Sequence, residues 1–160
     1  MKKLLIGFLF ISNLTIAQSS ADWWFFGDKA GLNFTAIGPV PSTEGVLKSV
    51  EGCATISDEF GSLLFYTRGD TVWDSTHSVM QNGTGLIANG IAGDGSMNSF
   101  IVPRPGNPFE FYLFTIRSFY GGLYYSKIDM TLNGGLGAVD PIEKNIPLID
   151  TTMEMMTCLR

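Results

Sequence analysis

The chain has few of the residues that most often perform chemistry. Its 160 residues include one histidine and two cysteines, and charged residues make up 16% of the total. No Cys-x-x-Cys pair is present, which excludes the redox and metal-binding motifs built on that spacing. Lys and Arg are scattered singly, whereas binding to a phosphate backbone needs them clustered. We therefore expect no nucleic-acid partner.

The chain also lacks an apolar run of the roughly 20 residues that a membrane-spanning helix needs. The short run Leu4 to Ile11 follows Lys2 and Lys3 and precedes the small residue Ala17. This pattern is typical of a secretory signal peptide, 1–17, that is cleaved after Ala17. An uncleaved N-terminal anchor helix is the alternative.

Cleavage leaves one domain, 18–160, and changes the net charge from −5 to −7. We expect an exported protein, at the cell surface or extracellular, with no transmembrane segment after cleavage. An acidic surface of this kind is read as a solubility feature.

Two cysteines are too few for a disulfide scaffold, although export permits a disulfide. Cys53 and Cys158 each lie in an apolar strand pattern. If they belong to different sheets with another sheet between them, their Cα atoms lie beyond the bridging limit of about 7 Å. We expect two unpaired, mostly buried thiols.

The chain is rich in glycine and aromatic residues, and it contains a repeat. It contains 19 glycines and 12% aromatic residues, and no window shows a clean helical period. Two segments resemble each other, Leu64-Phe65-Tyr66-Thr67-Arg68 and Leu113-Phe114-Thr115-Ile116-Arg117, and they lie 49 residues apart. A period of roughly 40 to 50 residues with several short strands is typical of β-propeller blades.

The strand patterns fall into three groups separated by turn residues. The first group predicts short strands at 23–26 and 32–34 around the turn Gly27 to Gly31. The second predicts strands at 53–57, 63–67 and 71–73, then 78–80 leading into an Asn82-Gly83 turn, with Asp58 and Gly61 forming a hairpin turn.

The third group follows a Gly-rich stretch, Leu86 to Met97, that we interpret as a loop. It predicts strands at 99–102, 111–116 and 123–128, closed by an edge strand at 145–148 that tolerates Pro147. Met153 to Arg160 predicts the start of another strand.

The fold class is therefore all-β, a partial β-propeller of about three blades of antiparallel strands, with a β-sandwich as the alternative. Because a closed propeller needs about four to eight blades, we expect an N-terminal fragment of a longer protein, or the product of an incompletely defined gene. The remaining blades of that full-length chain would then be partners of this part.

Three candidate sites each have a simpler structural interpretation. Asp70, Asp74 and His77 could ligate a metal ion or act as acid and base, but a strand places His77 on the other face from the two aspartates. Gly83 to Ala88 matches a dinucleotide-binding fingerprint, yet no helix can follow it, so we expect a loop.

Aromatic side chains could stack on sugars, although packing between sheets is the simpler interpretation. The candidates for such platforms are Trp23, Trp24, Trp73, Tyr120, Tyr124 and Tyr125.

Several motifs in order resemble the N-terminal region of large surface proteins of Bacteroidetes, which usually carry a gliding-motility-associated or type IX secretion sorting domain. The matching segments lie at 24–27, 30–34, 51–58, 63–67, 71–73, 80–86, 101–106 and 125–130. The resemblance covers about residues 23 to 159. It implies an exported cell-surface protein with a propeller-like N-terminal part, and it carries over no catalytic site.

From these observations we expect a non-enzymatic binding or adhesion module of a larger exported protein, whose partner is an extracellular glycan or surface protein. We expect no catalytic, cofactor-binding or metal-binding residues. One alternative is a propeller enzyme that acts on extracellular carbohydrate, with its catalytic residues on further blades. The other is a purely structural spacer, which would show no exposed aromatic patch.

Overall fold

A computed structural model of the chain describes residues 19–88, 98–117, 121–153 and 156–157. Twelve β-strands and two short 3-10 turns, Ser19–Ala21 and Asn133–Gly135, make up the described secondary structure. The all-β prediction is confirmed. The strands are β1 (Trp23–Phe26), β2 (Ala30–Thr35), β3 (Gly38–Ser42), β4 (Ala54–Ser57), β5 (Leu63–Thr67), β6 (Thr71–Asp74), β7 (Val79–Thr84), β8 (Ser99–Pro103), β9 (Glu110–Ile116), β10 (Leu123–Asp129), β11 (Ala138–Val139) and β12 (Ile146–Ile149).

The strands form three antiparallel groups in chain order. We call β1–β3 the N-terminal sheet. We call β4–β7 the first repeat sheet and β8, β9, β10 and β12 the second repeat sheet, although β11 joins these two groups into one larger hydrogen-bonded sheet. Pairing in the second repeat sheet runs β8 to β9 to β10 to β12, as the sequence predicts, and Pro147 lies in the edge strand β12.

Residues of the two repeat sheets match in register. Across the first sheet Tyr66 pairs with Thr55 and Trp73. Across the second sheet Thr115 pairs with Ser99 and Tyr124, the corresponding positions. The segments that resemble each other in the sequence are β5 and β9, the second strand of each repeat sheet.

The two repeat sheets pack face to face. Phe65, Val72 and Met80 of the first sheet share one buried core with Phe111 and Leu113 of the second. Along the edges, β7 pairs with β11 in parallel, and Cα atoms of β8 come within 8 Å of Cα atoms in β4. The repeat sheets together therefore form a nearly closed, barrel-like sheet.

The N-terminal sheet covers the other face of the first repeat sheet. Phe25 is 2% exposed and its ring centroid lies 4.6 Å from that of Tyr66. Tyr66 in turn stacks on Trp73, with ring centroids 5.6 Å apart. The backbone N–H of Phe25 donates to Thr55 Oγ1 at 3.0 Å, so β1 lies beside β4.

The predicted Asn82-Gly83 turn needs correction. The Asn82-Gly83 turn is wrong, because both residues lie inside β7. Asn82 adopts φ 59°, and its Nδ2 donates to the Val139 carbonyl at 2.9 Å while its own carbonyl accepts from Lys144 Nζ at 2.9 Å. These long-range contacts hold Asn82 in an irregular part of β7, where the pairing with β6 shifts register, instead of at a chain reversal.

The sequence analysis also missed strands β3 and β11. Strand β3 contains Pro39 and Pro41, which are tolerated because β3 is the edge of its sheet. At the other end, Met153, Met156 and Thr157 are not in a strand, so the predicted strand is wrong for these residues.

Several predictions fall outside the described residues. These are the signal peptide 1–17, most of the Leu86 to Met97 loop, Tyr120, and Cys158. Among the described residues, no helix is long and apolar enough to cross a membrane.

Candidate functional site

Two hairpin turns of the repeat sheets expose a phenylalanine at the same position. Phe60 lies in the β4–β5 turn and is 83% exposed, and Phe109 lies in the β8–β9 turn and is 57% exposed. Each precedes its matching leucine, Leu64 or Leu113, by four residues. We call Phe60 and Phe109 the tip phenylalanines.

The same local hydrogen bond shapes both turns. Asp58 Oδ1 accepts the backbone N–H of Phe60 at 2.8 Å, and Asn107 Oδ1 accepts that of Phe109 at 3.1 Å. A short Asp or Asn side chain closes a turn in this way by bonding the backbone two residues ahead. Gly61 adopts φ 82°, which confirms the predicted Asp58–Gly61 hairpin turn.

The second tip is also anchored from outside its own turn. The N–H of Met130, at the end of β10, donates to the Phe109 carbonyl at 2.8 Å. Arg104 and Glu110 form an ion pair across the base of the hairpin, and the Glu110 carboxylate holds the pKa of Arg104 above its usual value. The Phe109 backbone is thus held while its ring faces solvent.

The sequence analysis did not single out the tip phenylalanines. The signal was the repeat itself: extended N-terminally, it matches Asp58 with Asn107 and Phe60 with Phe109.

Asp70, Asp74 and His77 do not form one site. Asp70 accepts from Arg68 Nε at 2.6 Å, and buried Asp74 accepts the backbone N–H and hydroxyl of Thr76 at 2.8 and 2.6 Å. His77 Nδ1 lies 3.1 Å from the Tyr66 hydroxyl. In the described part of the chain, no group of three or more His, Cys, Asp or Glu side chains could hold a metal ion.

Gly83 to Ala88 passes from the end of β7 into an irregular segment. Gly85 has φ 71°, and Leu86 is buried in the core between the repeat sheets. A phosphate-binding turn needs a helix N-terminus at this point, and the chain from Gly85 to Ala88 is not helical.

A charge cluster joins β10 to the segment after β11. Lys127 Nζ lies 2.9 Å from Asp140 Oδ2 and 2.8 Å from Glu143 Oε1. These bonds raise the pKa of Lys127, lower the pKa of Asp140 to about 2, and lower the pKa of Glu143. All three groups are held in their charged forms, which suits a structural cross-link better than proton transfer.

Some of the aromatic residues that were predicted to stack on sugars are buried in the core, and others are exposed. Trp73 is buried and Trp23 packs against the same core cluster, whereas Trp24 is 50% exposed. Tyr124 and Tyr125 are half-buried.

A shallow groove of about 280 Å³ lies between β1 and β4, lined by Trp24, Phe25, Phe26, Cys53, Ala54 and Thr55. Cys53, which lines this groove, is a free and half-buried cysteine. Burial raises the pKa of its thiol, so the reactive thiolate is disfavoured.

Comparison with protein-family models, with curated proteins and with solved structures finds no match for this chain.

Proposed function

We propose that this chain is a non-enzymatic binding module of an exported cell-surface or secreted protein, and that the tip phenylalanines contact its ligand. The observation that carries the proposal is the repetition of one exposed aromatic side chain on two turns of the same construction. Exposed apolar side chains held on anchored turns are suited to contact with a partner.

The ligand class that fits best is a surface protein. Phenylalanine offers apolar area without a hydrogen-bond donor, and apolar aromatic contacts are enriched at protein interfaces. An extracellular glycan is the second candidate, because an aromatic face can also stack on a sugar ring.

The state of the acidic side chains supports a non-enzymatic role. Asp58, Asp74 and Asp129 accept hydrogen bonds within their own turns. Asp70 and Asp140 are paired with Arg68 and Lys127. Glycoside hydrolysis needs two carboxyl groups facing each other across the bond that is cleaved.

We also propose that the three sheets are neighbouring blades of a partial propeller. The first strands of the sheets support this interpretation, since β1 lies beside β4 and β4 lies beside β8. In a propeller the blades stand around a central axis. Export to the cell surface, and kinship with the Bacteroidetes surface proteins, rest on the signal-peptide pattern and on the ordered motifs of the sequence.

The test is binding of the labelled mature chain to two arrays, one of purified extracellular proteins and one of glycans. We expect the Phe60→Ser/Phe109→Ser double variant to lose at least about tenfold in affinity for the ligand that the wild type binds, as interface aromatic residues do. Ile37→Ser is the matched control, because Ile37 is 93% exposed on the β2–β3 turn. Unchanged binding by the double variant, or turnover of a polysaccharide by the wild type, would overturn the proposal.

A further inference from the structure

We infer that ordered water molecules bind at a buried polar site beside the seam between β4 and β8, and that they bridge these two edge strands. The site is formed by Asn98, Ser99 and Thr115, and we call it the polar site. The inference goes beyond the proposed function and does not involve the tip phenylalanines.

The seam lies between the first and the last strand of the larger sheet. The strand order of that sheet begins with β4 and ends with β8. Cα atoms of the two strands come within 8 Å of each other, yet the backbone pairs of the described residues include none between β4 and β8. Direct backbone hydrogen bonds therefore do not close the barrel-like sheet at this place.

The Asn98 side chain lies at the starting end of the seam. A Cβ on Gly52, which precedes β4, would overlap the Asn98 amide, which precedes β8. A Cβ on Gly69, in the β5–β6 turn, would lie 3.3 Å from Asn98 Oδ1. The amide thus reaches from the second repeat sheet to the backbone of the first.

Buried polar atoms without a partner are concentrated beside the seam. Of five such side-chain atoms in the described part of the chain, four belong to the polar site: Asn98 Oδ1 and Nδ2, Ser99 Oγ and Thr115 Oγ1. The three residues are 2%, 3% and 0% exposed. A buried polar group without a hydrogen bond destabilises the folded state, so four of them in one place require a partner.

The two hydroxyls of the polar site face each other across β8 and β9. Ser99 pairs with Thr115, and the preceding pair is hydrogen-bonded, since the Ile116 N–H donates to the Asn98 carbonyl at 3.0 Å. Pairs alternate along an antiparallel ladder, so Ser99 and Thr115 form a non-hydrogen-bonded pair, whose side chains are closer together. One small molecule can therefore contact both hydroxyls.

The corresponding hydroxyls of the first repeat sheet have protein partners. Thr55 occupies there the position of Ser99, and Tyr66 occupies the position of Thr115. Thr55 Oγ1 accepts the N–H of Phe25 from β1 at 3.0 Å, and the Tyr66 hydroxyl also accepts a backbone N–H. Thus a direct hydrogen bond ties β1 to β4. At the matching junction between β4 and β8, a bridging water takes the place of that bond.

Water is the ligand that the chemistry of the site selects. An amide and two hydroxyls offer donors and acceptors together and carry no charge, and water both donates and accepts. Buried waters typically make about three hydrogen bonds to polar groups that otherwise lack partners. In the part of the chain that the structure describes, no group of three or more His, Cys, Asp or Glu side chains could hold a metal ion. The site therefore suits neutral water and not a metal ion.

The direct test is a crystal structure of the mature chain at a resolution that shows ordered solvent. We expect water at hydrogen-bond distance from both Ser99 Oγ and Thr115 Oγ1, and water on the Asn98 amide. Magnetisation transfer from water to the backbone amides of β8 and β9, measured by NMR, should detect the same molecules in solution. A protein group bonded to both hydroxyls, or a site without water, would overturn the inference.

The sign of a stability change gives the second test. Thr115→Val replaces the hydroxyl by a methyl group of similar size. If water bonds to the hydroxyl, this substitution leaves the water with fewer partners, and we expect the equilibrium constant for unfolding in urea to rise at least about fivefold. A hydroxyl without any partner predicts a variant that is unchanged or more stable, and that result would contradict the inference.

Thr55→Val is the matched control, because the Thr55 hydroxyl accepts directly from the Phe25 N–H. Its loss should destabilise the chain whether or not water occupies the polar site. None of these outcomes affects the test of the tip phenylalanines.

Discussion

Phe65 and Phe111 join the two repeat sheets, since their rings meet edge to face with centroids 5.4 Å apart. Both side chains are buried, at 0% and 4% exposure. Edge-to-face pairs add about 0.5–1.5 kcal/mol beyond the area that they bury. The contact belongs to the only described core that both repeat sheets share.

Because Phe65 is buried in this contact, we expect its truncation to destabilise the folded protein. Phe65→Ala should lower the free energy of unfolding by about 3–5 kcal/mol, because it leaves a cavity between two sheets. Urea unfolding measures this as a lower midpoint with an unchanged slope. Phe60→Ala, on an exposed turn, should stay within about 0.5 kcal/mol of the wild type. Equal effects of the two substitutions would contradict the assignment of Phe65 to the core.

Gly45 leaves no room for a side chain beside the N-terminal sheet. A Cβ at this position would overlap the buried ring of Phe25, so Gly45→Ala should cost about 1–3 kcal/mol of unfolding free energy. The double variant Gly45→Ala/Phe25→Leu should lose less than the sum of the two single variants, because the smaller side chain leaves room. Additive losses in chemical denaturation would show that the two residues do not meet.

The Tyr66 hydroxyl makes hydrogen bonds inside the core that Phe25, Leu47, Tyr66 and Trp73 form. It accepts the Val46 N–H at 3.2 Å and lies 3.1 Å from His77 Nδ1. Tyr66→Phe should lower stability by about 0.5–1.5 kcal/mol through the loss of these bonds. Tyr125→Phe is the matched control, since its hydroxyl lies outside that core and donates to the half-buried Glu143 at 3.3 Å. A thermal unfolding midpoint lowered equally by both substitutions would contradict the prediction.

The Lys127 cluster predicts how stability depends on pH. Asp140 has a pKa of about 2 in the folded chain against 3.8 for the free group, and the pKa of Glu143 is also lowered. Because the folded state binds these protons less readily, the stabilisation is present above about pH 4 and is lost as the pH falls towards about 2.

Lys127→Met should reduce the dependence of unfolding free energy on pH in that window, measured by urea unfolding at several acidic pH values. Lys48→Met is the control, because the Lys48 side chain forms an exposed ion pair with Asp28 at 3.5 Å. If Lys127→Met kept the full acid dependence, other groups would be responsible.

The sequence predicted those strands and turns that are determined by residues close together in the chain. The strands of both repeat sheets followed from apolar patterns and turn residues within a few positions, such as Asp58 and Gly61. Strand β3 was missed because its prolines disfavour a strand locally, although an edge position tolerates them. The Asn82-Gly83 turn was wrongly predicted because the groups that hold Asn82 within β7, Val139 and Lys144, lie 57 and 62 residues away.

The candidate site residues were also predictable only where the contacts that define them are local in the sequence. His77 was paired with two aspartates because they are close in the sequence, whereas in the fold it meets Tyr66 from a neighbouring strand. The repeat in the sequence could have identified Phe60 and Phe109 as corresponding residues. Their exposure could not be predicted, because exposure depends on which distant segments cover a turn.

By itself the sequence determined that the protein is all-β, where most strands of the repeat sheets run, and that one pattern occurs twice. Strand alternation and turn chemistry act between neighbours in the chain, so they can be read locally. Only the tertiary structure decided which face of each sheet is covered, that Phe65 is buried while Phe114 is half-buried, and which polar groups meet. Burial is set by residues that are distant in the chain, and the chain must fold before they come together.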